Sequence, residues 1–382
     1  MKQIICLSTS PWYPIPTRKQ QVMSRLKDAE ILYFDPPITY IGPLKDRSLR
    51  KKLKSWKTDR CQPLPHVTVY SLPPVLPYFN KFRWINRMNQ KKLARYISRL
   101  SKAHGFTDPV LWVYSPTAAD CVDGVPHSAL VYDCVDRHSA YGGLMNPAMV
   151  DNMELELAAK ADMVFATAKS LWQRLHEVNS RAIFIPNGAN FERFYAASQP
   201  QPKPDDFPAG DRPVFAFVGA LQGCIEYGYI VHAAKAQPDW RFIFLGRQLP
   251  DVDLSSLQQL PNCHFLGLRP NEQLPQYLAH CDVCLNLFDQ SDLSRDVSPL
   301  KFFEYLATGK PIVSTPQPEQ ILQYADDIHI AASPEEFLEK CRDALQDTEP
   351  ERIARRIALG KACSWDERVM QMEQLLTKQQ IF

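Results

Sequence analysis

The residues best suited to chemistry lie between Leu293 and Glu319, in the run LSRDVSPLKFFEYLATGKPIVSTPQPE. Asp296 and Glu304 are acids eight positions apart, with Arg295 and Lys301 as cations among them. Ser298 and Pro299 stand where a helix N-cap and first turn belong. The residues from Leu300 to Leu306 are good helix formers, Gly309 stops the helix, and Pro311 to Ser314 reads as a buried strand. The backbone around Ser298 and Leu300 would present free N–H groups and a positive helix end to an anion. Lys301 adds a cation in the first turn. Glu304, one turn on, can accept hydrogen bonds from sugar hydroxyls. This is the chemistry needed to hold a diphosphate joined to a ribose.

A second cluster is Asp133, Asp136 and His138, in YDCVDRH. It follows a run that reads as a strand, Ala129 to Asp133, and open α/β sheets place ligands at the C-terminal ends of their strands. Asp136 is the first choice for a base that takes a proton from an acceptor hydroxyl. Asp133 could equally cap the following turn, and His138 is the weaker candidate. At two other strand ends, Gly219 permits close backbone approach, and Arg247 follows Gly246. Arg247 reads equally well as a phosphate contact or as a solvated surface residue.

The elements that must position these groups are alternating strands and helices. Residues 3–8 form a first strand, followed by a proline- and aromatic-rich loop from Pro11 to Arg18, a helix from about Lys19 to Lys27, and a strand from Ile31 to Phe34. That order begins a Rossmann-like half, but the loop lacks GxGxxG, so no dinucleotide is indicated. A basic helix is expected from about Asn80 to His104, its apolar face formed by Phe82, Ile85, Leu93, Tyr96, Ile97 and Leu100. Residues 198–213, rich in proline and poor in apolar side chains, read as a linker. A second α/β half follows, and the last helix runs from about Trp365 to Lys378.

The chain has 382 residues, 45% hydrophobic and 23% charged, enough for two globular domains with full cores. No apolar run reaches the ~20 residues of a membrane span, and the N-terminal apolar run is too short for a signal peptide. The ten cysteines show no disulfide-like framework and read as reduced and cytosolic. Cys281 and Cys284 lack a second pair for zinc and read as core. Net charge is only +2, yet residues 44–102 hold sixteen Lys and Arg against two acids, +14 locally and −12 elsewhere. Such a block points to one anionic partner surface. The basic helix reads equally as a core-packed element with a solvated basic face or as one that meets anionic lipid or a lipid-linked acceptor, and Trp56, Phe79 and Trp84 among the charges favour the membrane.

The Leu293–Glu319 stretch resembles the acid-x7-acid motif of GT-B glycosyltransferases, particularly GT4-like bacterial enzymes with an SPLKxxEYLAxGKPxVST segment. YDCVD, ADMVFATAKSL and IPNGANFERF resemble their N-terminal half, and FVGAL, FLG and LPxYL their C-terminal half. Asp296 stands where those enzymes usually have Glu, Asn190 where they have Asp, and Gln222 to Glu226 where many have Arg and Lys for the diphosphate.

The resemblance implies an α/β GT-B fold: two Rossmann-like α/β/α domains with a cleft between them and a C-terminal helix crossing back to the first. The expected limits are 1–197 for the acceptor domain, 198–213 for the linker, 214–360 for the donor domain and 361–382 for the returning helix. It implies transfer of a sugar from a nucleoside-diphosphate sugar to a glycan or lipid-linked acceptor in cell-surface polysaccharide synthesis, with retention. The donor would meet Gly219, Arg247, Arg295, Ser298, Leu300, Lys301 and Glu304, and Asp136, Asp133 and Asp296 would serve catalysis. Arg18, Trp56, Trp84, Lys91, Lys92 and Arg95 would meet acceptor or membrane. No cofactor, metal or nucleic acid is expected. The place would be cytoplasmic, peripheral on the inner face of the membrane. The rivals are a nucleotide-sugar 2-epimerase on the same fold and a non-catalytic membrane-associated GT-B scaffold.

Overall fold

A computed structural model describes residues 1–14, 16–140, 145–250 and 252–382; Ile15, in the loop from Pro11 to Arg18, and Tyr141, three residues after His138, lie outside them. The chain forms two compact units, Met1–Pro186 with Val369–Phe382, and Asn187–Arg368. The division falls at Pro186, earlier than 197. The helix Trp365–Lys378 begins in the second unit, and its residues from Val369 onward belong to the first.

The first unit holds β1 (Lys2–Leu7), β2 (Ala29–Asp35), β3 (Arg60–Leu64), β4 (Val67–Ser71), β5 (Val110–Val113), β6 (Ala129–Cys134), β7 (Met163–Ala166) and β8 (Ala182–Phe184), in the order β3-β4-β2-β1-β5-β6-β7-β8. All neighbours are parallel except β3 against β4. Near-continuous apolar runs such as ALVY and MVFA suit strands covered on both faces. β3 was not legible: it lies in the basic stretch, and its pairing to β4 supplies an order that its exposed residues do not signal.

The second unit holds β9 (Val214–Val218), β10 (Arg241–Leu245), β11 (Cys263–Gly267), β12 (Val283–Asn286), β13 (Ile312–Ser314) and β14 (His329–Ile330), all parallel, in the order β11-β10-β9-β12-β13-β14. The proline-rich segment has no helix or strand from Gln199 to Pro213, yet it is anchored to this unit. Phe207 is buried against Tyr277 and His280, and Asp206 accepts from the Tyr277 hydroxyl at 2.7 Å and pairs with Arg269. Proline fixes its path, and one buried ring fastens it.

Candidate functional site

The chemistry of the second unit gathers where β9 and β10 end. Gly219 follows β9 with φ +133°, a conformation that L side chains rarely adopt. Gly246 follows β10, and a Cβ there would lie 1.8 Å from the Gly219 carbonyl oxygen, so the two strand ends converge only because both residues are glycine. The helix Leu300–Thr308 is fastened over this point by Tyr305, whose hydroxyl accepts from the Val218 N–H at 2.7 Å. Lys301 is one turn earlier on the same face. Its ammonium therefore reaches Gly219, 3.6 Å from where a Cβ would be, and lies 3.7 Å from the centre of the Phe217 ring and 4.9 Å from that of Phe288.

Half-buried Lys301 and Glu304 both sit where charge is costly. Burial lowers Lys301 to about 7, against the opposing pull of Cys224 and Glu304. Burial raises Glu304 to about 7, against Arg193 and Lys301. A cation and an acid are thus held three residues apart, each ready to gain from a polar ligand.

The helix start differs from the expected N-cap. Pro299, in extended conformation, is the cap residue, and no side chain caps the helix. The Ser298 hydroxyl instead accepts from the Asn187 N–H at 3.0 Å, and its carbonyl accepts from the Asn187 amide at 2.8 Å. The Phe302 N–H bonds the Pro299 carbonyl at 3.2 Å, and among the described residues no side chain caps the first turn, which leaves the N–H groups of Leu300 and Lys301 to meet a ligand. The helix Tyr227–Ala236 contrasts with it, because Glu226 accepts from the Gly228 N–H and fills that helix end with its own carboxylate.

The first unit holds a cavity of about 490 Å³. Its floor is the C-terminal ends of β1, β5 and β6, represented by Thr9, Ser115, Asp136 and His138, together with Lys19. One wall is the helix Arg83–Ala103, which turns Asn86, Asn89, Gln90, Leu93 and Ile97 inward. His138 bonds the Tyr114 carbonyl at 3.1 Å, and burial pushes its pKa down to about 4, so at neutral pH it carries no charge. Among the described lining residues Asp136 is the one carboxylate. A mixed apolar wall with a few converging polar groups is the usual form of a small-molecule site.

Residues 228–374 match the family of glycosyl transferase-like domains. Sucrose-phosphate synthase of Thermosynechococcus elongatus has the same fold over 99% of both chains, with TM-score 0.71 at 15% identity. Anabaena HepE, solved with UDP and glucose, gives TM-score 0.65 at 14% identity over 99% of this chain and 100% of its own. The chain has the GT-B glycosyltransferase fold. TuaH of Bacillus subtilis (strain 168), assigned as a teichuronic acid biosynthesis glycosyltransferase, is 27% identical over 236 aligned positions. That match covers 56% of this chain and 58% of TuaH.

On this GT-B fold the expected donor residues Gly219, Ser298, Leu300, Lys301 and Glu304 surround one strand end and one helix start. Asp296 is buried, and half-exposed Arg295 lies 4.0 Å from it. Arg247 is exposed, its carbonyl accepting from the Leu221 N–H at 2.9 Å.

Asp133 and Arg18 also differ from expectation. Asp133 is not available as an acid or base. It is fully buried and accepts Nε of Arg18 on both carboxylate oxygens, at 2.9 and 3.0 Å. Arg18 likewise cannot meet acceptor or membrane: it is 1% exposed and also donates to the carbonyls of Ile185 and Pro186. An ion pair 115 residues apart in sequence leaves no local signal.

The basic block is an exposed surface. Trp84, Met88, Lys91 and Arg95 share one face of the helix Arg83–Ala103, and Trp84 is 62% exposed. Phe82 is exposed ahead of the helix rather than part of its apolar face. Trp56 is half-buried, edge-on to Tyr96. Lys92 is tied to the Pro74 carbonyl at 2.8 Å and the Tyr40 hydroxyl at 3.1 Å. No described helix is long and apolar enough to cross a membrane, and no described group of three or more His, Cys, Asp and Glu could hold a metal ion. Lys19 and the inward amides Asn86, Asn89 and Gln90 were missed. The amides interrupt the apolar face between Ile85 and Leu93 at positions i, i+3 and i+4, and that interruption was the available signal.

Proposed function

We propose that this chain is a glycosyltransferase that binds a nucleoside-diphosphate sugar on its second unit and receives the acceptor on its first. The observation that carries this reading is the placement of Lys301 over Gly219 at an uncapped helix start, with Glu304 one turn further on. The diphosphate meets the ammonium and the first-turn N–H groups, and Glu304 accepts hydroxyls of the sugar or ribose. Stabilisation of the departing diphosphate by these fixed groups, with no metal ion required, supplies most of the catalysis.

The transfer proceeds with retention. Attack is from the face that the diphosphate leaves, and Asp136 orients the acceptor hydroxyl. Asp133 takes no part, since Arg18 holds it. A 2-epimerase would need no acceptor site, and the cavity beside Asp136 favours transfer over epimerisation. The match to TuaH favours an acceptor of cell-surface polysaccharide synthesis. The face bearing Trp84, Met88, Lys91 and Arg95, next to exposed Tyr78 and Phe82, favours a lipid-linked acceptor met at an anionic membrane, on its cytoplasmic side. Incubation with UDP-sugars and a membrane extract tests the reading. Sugar incorporated into the lipid fraction is the expected result, and release of a 2-epimer without acceptor would replace transfer by isomerisation.

A further inference from the structure

Lys19 is a lysine with little reason to be where it is. It is 6% exposed, and among the described residues it makes no hydrogen bond and no ion pair within 4 Å. Its nearest aromatic contact is the Tyr114 ring, 5.7 Å from Nζ. Of the carboxylates that act on it, Asp133 is committed to Arg18, and Asp136 is the other. Arg18 opposes it from the same helix, and His138 is uncharged at neutral pH. Burial lowers its pKa, the mark of an ammonium that lacks enough partners. A buried charge without partners is costly, and this one lines the cavity.

Along the strand ends the charged and hydroxyl-bearing lining residues follow β1, β5 and β6, with apolar Pro116, Ala118 and Cys121 among them, whereas those that follow β2 and β4 are apolar. Asp136 and His138 follow β6, Ser115 follows β5, and Thr9 follows β1. Pro36 and Pro37 follow β2, and Leu72 and Val75 follow β4. β4 and β6 are four strand spacings apart in the sheet, at about 4.8 Å each. On the β4 side the lining reaches Phe79, next in sequence to exposed Tyr78 and three residues before exposed Phe82.

We propose that the cavity takes an acceptor built as an apolar chain bearing an anionic group, and that Lys19 is the residue that holds the anion. The proposal rests on the reading of the first unit as the acceptor unit. The apolar chain lies along Leu72, Val75, Phe79, Leu93 and Ile97 and leaves toward Tyr78 and Phe82. The anion meets Lys19, and a hydroxyl close to it faces Asp136. A phosphate on a lipid and a carboxylate or phosphate on a sugar offer the same oxygen chemistry to Lys19. The apolar side of the cavity selects the lipid.

Calorimetric binding of farnesyl phosphate, farnesol and glucose 6-phosphate to wild type, Lys19→Gln and Lys19→Arg tests this, with UDP as a control for the second unit. The expected result is farnesyl phosphate bound at least tenfold tighter than farnesol. Lys19→Gln removes that advantage, Lys19→Arg restores part of it, and UDP affinity is the same in all three. Lys19→Gln should also melt no lower than wild type, because it removes a buried charge that makes no ion pair within 4 Å among the described residues. Equal farnesyl phosphate affinity in wild type and Lys19→Gln would overturn the assignment, and so would glucose 6-phosphate bound as tightly as farnesyl phosphate. Loss of UDP binding in the wild type would strike the donor reading and leave this one standing.

Discussion

The ammonium of Lys301 lies 3.7 Å from the centre of the Phe217 ring and beside Gly219, at the end of the first strand of the second unit. The ring shields the cation from water, and the missing Cβ of Gly219 leaves room for it. A cation held this way is costly alone and well placed for a diphosphate.

Lys301→Ala should therefore weaken a nucleoside diphosphate at least tenfold, in line with the roughly 1.5–3 kcal/mol of a charge-assisted hydrogen bond, and leave the bare nucleoside unchanged. With Lys301 lowered to about 7, binding at about pH 8 should take up a proton, seen by calorimetry in buffers of different ionisation enthalpy. Without ligand, the folded chain holds more protons than the unfolded chain at Glu304 between the ordinary glutamate range and about 7, so that contribution to stability falls as pH rises. Above about 7 it holds fewer at Lys301, and that contribution rises with pH. Equal losses for diphosphate and nucleoside would contradict the assignment.

Arg18 and Asp133 should behave as a structural pair. Arg18→Ala leaves a fully buried carboxylate with its partner removed and should cost about 3–5 kcal/mol, read by denaturant titration. The double replacement Arg18→Met with Asp133→Leu should recover much of that loss. If Asp133→Asn abolished transfer while stability stayed intact, a catalytic role for Asp133 would have to be restored.

The proposed membrane face has its own test. The protein should sediment with phosphatidylglycerol vesicles at low salt, release at high salt, and ignore neutral vesicles, since each Lys or Arg near the surface contributes ~1 kcal/mol and is screened by salt. Reversing Lys91 and Arg95 to Glu should cut vesicle binding at least tenfold and leave UDP affinity unchanged. These two are chosen over Lys92, which also holds the Pro74 carbonyl. A wild type that ignores anionic vesicles at low salt would turn this face into a surface for a soluble partner.

The helix that carries Lys301 and Glu304 was legible because its residues are close in sequence. Lys301, Glu304 and Gly309 occupy one helix and its stop, and periodicity with capping rules places them. Ser298 was misjudged because its hydroxyl answers to Asn187, 111 positions away, rather than to its own helix. The cavity was not legible. Its walls come from the ends of separate strands, whose neighbours are set by the β3-β4-β2-β1-β5-β6 order rather than by the sequence order. Lys19 was not singled out, because only the packed structure shows it to be buried.

Calorimetric titration of UDP-sugars into wild type and Glu304→Ala, with the fold checked by circular dichroism, tests the central claim most directly. Loss of a charged hydrogen-bond acceptor should weaken the UDP-sugar by about 1.5–3 kcal/mol and largely abolish transfer. An intact Glu304→Ala protein that binds every UDP-sugar as the wild type does would contradict the account.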